Sequence, residues 1–154
     1  MIKVAAFFLA DAATVREGLL NVLGAGVNVV VRPTFPAPLG VPLVAVLEVE
    51  PDDRTTHQIV VSVQADATPL VQVQVQLEGG ASGPFADLPA YVPLVLPVGD
   101  ARLPQPGRYE AALAIDDQLM SVVAFRAHQS QGAGEQRPQQ PGVGTSPTDI
   151  PPFV

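Results

Sequence analysis

Apolar and polar positions alternate most clearly between Leu70 and Leu77, where Val71, Val73, Val75 and Leu77 are interleaved with Gln72, Gln74 and Gln76. A period of two sends successive side chains to opposite faces, so this run predicts a half-buried β-strand. His57 to Gln64 repeats the pattern with Ile59, Val61 and Val63, and the short link Ala65 to Pro69 pairs the two runs as an antiparallel hairpin. Val41 to Glu50 ends in the alternation Val46, Leu47, Glu48, Val49, Glu50, and Pro51-Asp52-Asp53 turns the chain. Tyr109 to Ile115 and Leu119 to Phe125 flank Asp116-Asp117-Gln118 as a second hairpin.

The remaining runs are less regular. Ile2 to Leu9 is a short, mostly apolar run, consistent with a strand buried on both faces. Asp11 to Glu17 reads as a helical turn capped by Asp11, or as a loop, and Gly18 then admits a second strand over Leu19 to Leu23 that ends at Gly24-Ala25-Gly26. Val27 to Val31 is β-branched and strand-like, but Pro33, Pro36 and Pro38 remove backbone donors just beyond it, so an extended crossover or edge segment follows. Pro93 within Ala90 to Pro97 assigns that strand to an edge or a bulge. Short strands spaced by turns predict an all-β fold, an antiparallel β-sandwich of about seven to nine strands.

Beyond residue 127 the pattern stops. Residues 128–154 contain five Gln, five Pro and four Gly, too few apolar groups to offset the entropy of ordering. Two segments are therefore expected: a β-sandwich domain over 1–127 and a disordered Gln/Pro/Gly-rich tail over 128–154.

Composition narrows the functional classes. The absence of cysteine removes disulfides, thiolate nucleophiles and thiolate zinc sites. A net charge of −7 and basic residues scattered singly along the body argue against nucleic acid and anionic membrane as partners. Met1 to Ala10 has the outline of a secretory signal, but its apolar run is the bare minimum for one, so a cytoplasmic location is expected. No run approaches the ~18 apolar residues of a membrane-spanning helix.

Candidate chemistry is sparse. His57 and His128 read as solvated surface residues, no Gly-x-Ser-x-Gly elbow is present, and Gly24-Ala25-Gly26 lacks the remainder of a phosphate loop. No catalytic residue and no cofactor are assigned. Asp52, Asp53, Asp116 and Asp117 fall in turns, where carboxylates can gather around Ca²⁺ and where Asp is also favoured for bonding nearby backbone amides. At the end of the tail, Asp149, Ile150 and Phe153 have the composition of a short docking peptide.

Three resemblances add to these inferences. Leu103 to Phe125, with Pro-Gly, Tyr, an alternating strand, an Asp turn and a final strand, resembles the closing hairpin of immunoglobulin-like sandwiches. Residues 1–127, with KVAAFFLADAATVREGLLNVLGAG, PTFPAPLGVPL and PLVLP followed by PGRY, resemble a family of small uncharacterised proteins mostly from actinobacteria. That resemblance implies a cytosolic bacterial β-sandwich and transfers no functional residue. The tail end, Asp149-Ile150-Pro151-Pro152-Phe153-Val154, is similar to the Asp-Ile-Pro-Phe tip of bacterial single-stranded-DNA-binding proteins, with an inserted proline and a terminal Val154.

The expected function is a non-enzymatic protein-interaction or structural module that binds an unidentified protein partner or a second copy of itself through an apolar face or exposed edge. This expectation rests on an apolar fraction of 47% with only 15% charged residues. The alternatives are a small-ligand or Ca²⁺ module built on the loop carboxylates, the tail as a docking peptide, and an enzyme whose pocket would hold a buried carboxylate or His57.

Overall fold

The computed structural model describes residues 1–80 and 87–131. It is all-β, with eleven strands and no helix among the described residues: β1 Ile2–Arg16, β2 Leu19–Ala25, β3 Val29–Arg32, β4 Ala37–Pro38, β5 Leu43–Val49, β6 Thr56–Ala65, β7 Thr68–Glu78, β8 Ala90–Leu96, β9 Arg102–Leu103, β10 Gly107–Ile115 and β11 Gln118–Gln129. One sheet has the order β2-β1-β5-β8 and the other β3-β11-β10-β6-β7. Among the described residues every pairing is antiparallel except that of β3 with β11.

The two sheets face each other across one aliphatic core. Leu9, Leu43, Ala45 and Leu47 from the first sheet pack with Ile59, Val61, Val63, Ala111, Leu113 and Ile115 from the second, as the period-two alternation requires. On β7 the glutamines are exposed and the valines only half-buried, because β7 is an edge strand. β8 is the edge of the other sheet, which is where Pro93 costs the ladder least. Tyr109, at the start of β10, donates its hydroxyl to the Gln105 carbonyl at 2.6 Å and stacks on Phe125 with ring centroids 5.7 Å apart.

The Pro-rich crossover is held by Arg32. Its Nε donates to the Pro38 carbonyl at 3.0 Å, and its Nη2 donates to the Leu39 carbonyl. Beside it β4 pairs with β9, which closes the end of the sandwich where β5 begins and β8 ends.

Several expectations are corrected. Asp11 to Arg16 is neither a helical turn nor a loop but the continuation of β1, joined to β2 by a two-residue turn with Glu17 at φ +53° and Gly18 at φ +74°. Both residues left-handed is the type I′ geometry that matches strand twist, and it fixes the hairpin. Asp66-Ala67 and Asp116-Asp117 make the same positive-φ turn, tighter than the spans read from sequence. β1 is buried on both faces only in part, since Lys3 and Ala5 are exposed. β11 continues to Gln129, so exposed His128 belongs to a strand. The loop tip at 81–86 and the tail from 132 onward, with Asp149, Ile150 and Phe153, lie outside the described residues.

Candidate functional site

His57 was expected to be solvated, and the structure buries it. It opens β6, on the same side of the strand as Ile59 and Val61, and is only 8% exposed. Burial of an imidazole needs partners for both ring nitrogens. Nδ1 lies 2.6 Å from Asp116 Oδ2, and Nε2 lies 2.8 Å from Asp53 Oδ2. Asp53 comes from the β5–β6 turn and Asp116 from the β10–β11 turn, so three segments meet at the end of the sandwich opposite the β4–β9 pair.

The surrounding donors are also committed. The Thr55 amide and hydroxyl both donate to Asp53 Oδ1, at 3.0 and 2.6 Å, and the Gln58 amide donates to Asp116 Oδ1 at 2.9 Å. The Met1 amine sits 3.1 Å from Asp53 Oδ2 and 3.3 Å from Glu50 Oε2. Among the described residues every buried side-chain polar atom has a partner.

This geometry sets the charges. The hydrogen bond to Asp116 raises the His57 pKa most; burial opposes it as the next-largest effect, and the hydrogen bond to Asp53 with the two carboxylate charges leaves the net shift upward. The Thr55 hydroxyl and amide, then His57, hold the Asp53 carboxyl far below the usual carboxylate range. The Gln58 amide, then His57, lowers Asp116. An ionised carboxylate can only accept, so with one on each ring nitrogen the bonded ring is an imidazolium clamped between Asp53 and Asp116.

Thr55 Oγ1 lies 2.9 Å from His57 Nε2, so Thr55, His57 and Asp116 have the outline of a hydroxyl–imidazole–carboxylate triad. A general base needs a free lone pair. Here both ring nitrogens donate to carboxylates, and the Thr55 hydroxyl spends its proton on Asp53. What the arrangement can do is cross-link, tying β6 to two turns.

Of the four carboxylates singled out as Ca²⁺ candidates, Asp53 and Asp116 converge on His57 and give it their oxygens. Asp52 and Asp117 lie exposed in the same turns and make none of these contacts. Among the described residues no group of three or more His, Asp or Glu side chains is disposed to hold a metal ion. Sequence reasoning missed Thr55 and the burial of His57. The available signal was Asp53-Arg54-Thr55-Thr56-His57, in which an Asp two residues before a Thr forms a local turn and alternation puts Thr55 and His57 on one face.

A second site is built from the hairpin of β1 and β2. Residues 2–9 of β1 pair with β5 and the Ala10 amide still donates to the Pro42 carbonyl, whereas, among the described residues, 12–16 pair only with β2, so the strands beyond Ala10 form a two-stranded ribbon that leaves the sandwich. At 3.3–3.4 Å per residue the ribbon projects about 20 Å. Ala13 faces Val22 and Val15 faces Leu20 across the strands, which makes the outer half of one side of the ribbon apolar, while Asp11 lies on the same side beside Gly24 at its base. The other side carries Leu19, 69% exposed, and Leu23, 73% exposed. None of these six apolar side chains belongs to the core or packs against it.

Over residues 5–128 the chain matches the model of a family described as "Family of unknown function (DUF6941)". No curated protein matches it. Among solved structures it is similar to Pseudomonas fluorescens alkylpurine DNA glycosylase AlkC bound to DNA containing an abasic site analog, at 12% identity and a TM-score of 0.45. That match covers 82% of this chain and 30% of the glycosylase, so the chain spans less than a third of its length, and nothing of the enzyme's chemistry is transferred.

Proposed function

The chain belongs to the DUF6941 family, whose function is unknown, and on that footing we propose that it is a non-enzymatic interaction module whose working surface is the β1–β2 ribbon. The observation that carries this is the ribbon's exposed apolar side chains, Leu19, Leu23 and Val15 above all, outside the core, on strands whose outer edges beyond Ala10 have no strand partner among the described residues. An isolated two-stranded hairpin is marginal in water, and an uncharged apolar edge is a template for a further strand. β2 reads Leu-Leu-Asn-Val-Leu-Gly-Ala, with no charge and no proline to blunt it.

A cytoplasmic, bacterial setting fits a cysteine-free chain and is part of the proposal. No helix among the described residues is long and apolar enough to cross a membrane. The strand order supports an immunoglobulin-like assignment: β1-β5-β8 against β3-β11-β10-β6-β7 corresponds to A-B-E against A′-G-F-C-C′, with Tyr109 bonded four residues back in the manner of a tyrosine corner. The Ca²⁺ alternative is disfavoured, since Asp53 and Asp116 already serve His57.

The test is a pull-down from host lysate that includes a differently tagged copy of the chain, comparing wild type with the Leu19→Glu/Leu23→Glu double variant. Neither side chain touches the core, so the variant is expected to melt where wild type does. Wild type should retain a partner that the variant loses; equal recoveries from two folded proteins would overturn the proposal.

A further inference from the structure

Resting on the ribbon as the working surface, we infer that its occupant is a second copy of this chain, with β2 pairing antiparallel to the partner's β2 about a two-fold axis through Asn21. The residues that would meet are self-complementary. Gly18-Leu19-Leu20-Asn21-Val22-Leu23-Gly24 reads nearly the same in both directions. Antiparallel pairing centred on Asn21 sets Leu19 against Leu23, Leu20 against Val22, Gly18 against Gly24 and Asn21 against Asn21. A symmetric dimer requires this kind of self-match, in which one patch serves both partners.

The backbone phase agrees with the side chains. In a hairpin with a two-residue turn the flanking residues, here Arg16 and Leu19, form a hydrogen-bonded pair, and such pairs alternate along the ladder. Thr14–Asn21 and Ala12–Leu23 are then also hydrogen-bonded pairs, while Val15–Leu20 and Ala13–Val22 are not. The amides and carbonyls of Leu20 and Val22 consequently point outward, away from β1. A two-fold axis at Asn21 joins Leu20 to Val22 of the partner subunit twice, which uses all four outward groups on each copy and leaves Asn21 facing its twin as a non-hydrogen-bonded pair.

Charge does not oppose the arrangement. The chain carries −7 overall, but β2 carries none, and antiparallel pairing places the two sandwiches at opposite ends of a four-stranded ribbon. Their separation exceeds the Debye length of about 8 Å at physiological salt. The edge offers about seven residues a side, against the ~20–30 of a standard interface, so the dimer is reversible and concentration-dependent.

Cysteine cross-linking reads the register directly, because the chain has no cysteine of its own. Non-hydrogen-bonded partners have Cα atoms about 4.5 Å apart, within disulfide reach. Asn21→Cys should oxidise to a covalent dimer. Leu19→Cys alone and Leu23→Cys alone should not, while a mixture of the two should cross-link. In sedimentation equilibrium on the full chain, wild type should dimerise reversibly. Leu20→Pro, which removes an outward donor and leaves the β1–β2 ladder intact, should weaken the dimer about tenfold or more.

Other outcomes separate the two ideas. A wild type that stays monomeric while the Leu19→Glu/Leu23→Glu variant still loses a lysate partner overturns the second copy and leaves the ribbon as a docking site for another protein. A monomer that dimerises once residues 132–154 are deleted overturns it in favour of the chain's own tail as occupant. A dimer unaffected by Leu20→Pro, or cross-linked by Leu19→Cys alone as readily as by Asn21→Cys, places the interface or the register elsewhere and overturns it as well.

Discussion

Replacing His57 with Ala gives the sharpest check on the end cluster. The substitution deletes two charge-assisted hydrogen bonds, and such bonds typically contribute about 1.5–3 kcal/mol each. The partner at Nδ1, Asp116, has a side chain 51% exposed, which moves that bond toward the surface-pair range of about 0–1 kcal/mol. The Nε2 bond is shielded, since the Asp53 side chain is 4% exposed. His57→Ala should therefore cost about 2–3 kcal/mol at mildly acidic pH, which at an m-value of ~1–3 kcal/mol/M lowers the urea midpoint by about 0.7–3 M. The pH dependence is the more telling readout. The folded-state pKa of His57 is raised above its ordinary value of about 6.5, so its contribution is complete below that pH and is lost as pH rises through the folded pKa. Urea midpoints measured from about pH 5.5 to about pH 8.5 should fall for wild type and stay nearly level for His57→Ala. The Met1 amine, raised above its ordinary 8.0 by Asp53 and Glu50, shares Asp53 Oδ2 with His57, so the His57 contribution is read from the part of the fall below about pH 7.5. Parallel curves, or a wild-type midpoint that rises over this interval, would refute an imidazolium clamped between two carboxylates.

Three further outcomes are expected. Asp53 and Asp116 both have lowered pKa values, so their contribution is complete above about pH 4 and is lost as pH falls through their folded pKa values; wild-type stability in acid should drop, and Asp53→Asn should flatten that limb. Leu113→Ala, at a fully buried position in β10, should cost about 2.7–5 kcal/mol in chemical denaturation, and a loss under 1 kcal/mol would contradict the packing of the two sheets on one core. Tyr109→Phe removes the donor to the Gln105 carbonyl and should cost about 1 kcal/mol with the Phe125 stacking retained; an unchanged melting temperature would deny that bond a role.

The all-β fold was legible because strands buried on one face must alternate, and Val71 to Leu77 and Ile59 to Val63 do so without a slip. The β10–β11 turn was legible because Asp116-Asp117 is good turn chemistry. The ribbon was not. Asp11, Thr14, Arg16 and Glu17 break the apolar run at the point where β1 leaves β5, and residues exposed on both faces carry no burial signal to mark a strand. Local chemistry therefore suggested a capped turn, while the Glu17-Gly18 turn and its cross-strand partners imposed an extended conformation. The His57 cluster was half-hidden for a different reason. Asp53 and Thr55 are its sequence neighbours, but Asp116 lies 59 residues away and reaches it only because β6 pairs with β10.

β1 serves two structures along one continuous backbone, since its first half is a rail of the sandwich and its second half a rail of the ribbon. Tension applied at the Glu17-Gly18 tip and directed along the ribbon passes straight down that backbone into the ladder with β5. There the inter-strand bonds lie across the line of pull, so they resist together as a lap joint does rather than opening one after another like a zipper. Whatever grips the tip is thereby anchored to the whole aliphatic interior, through Leu9 at the near end and Ile2 at the far one.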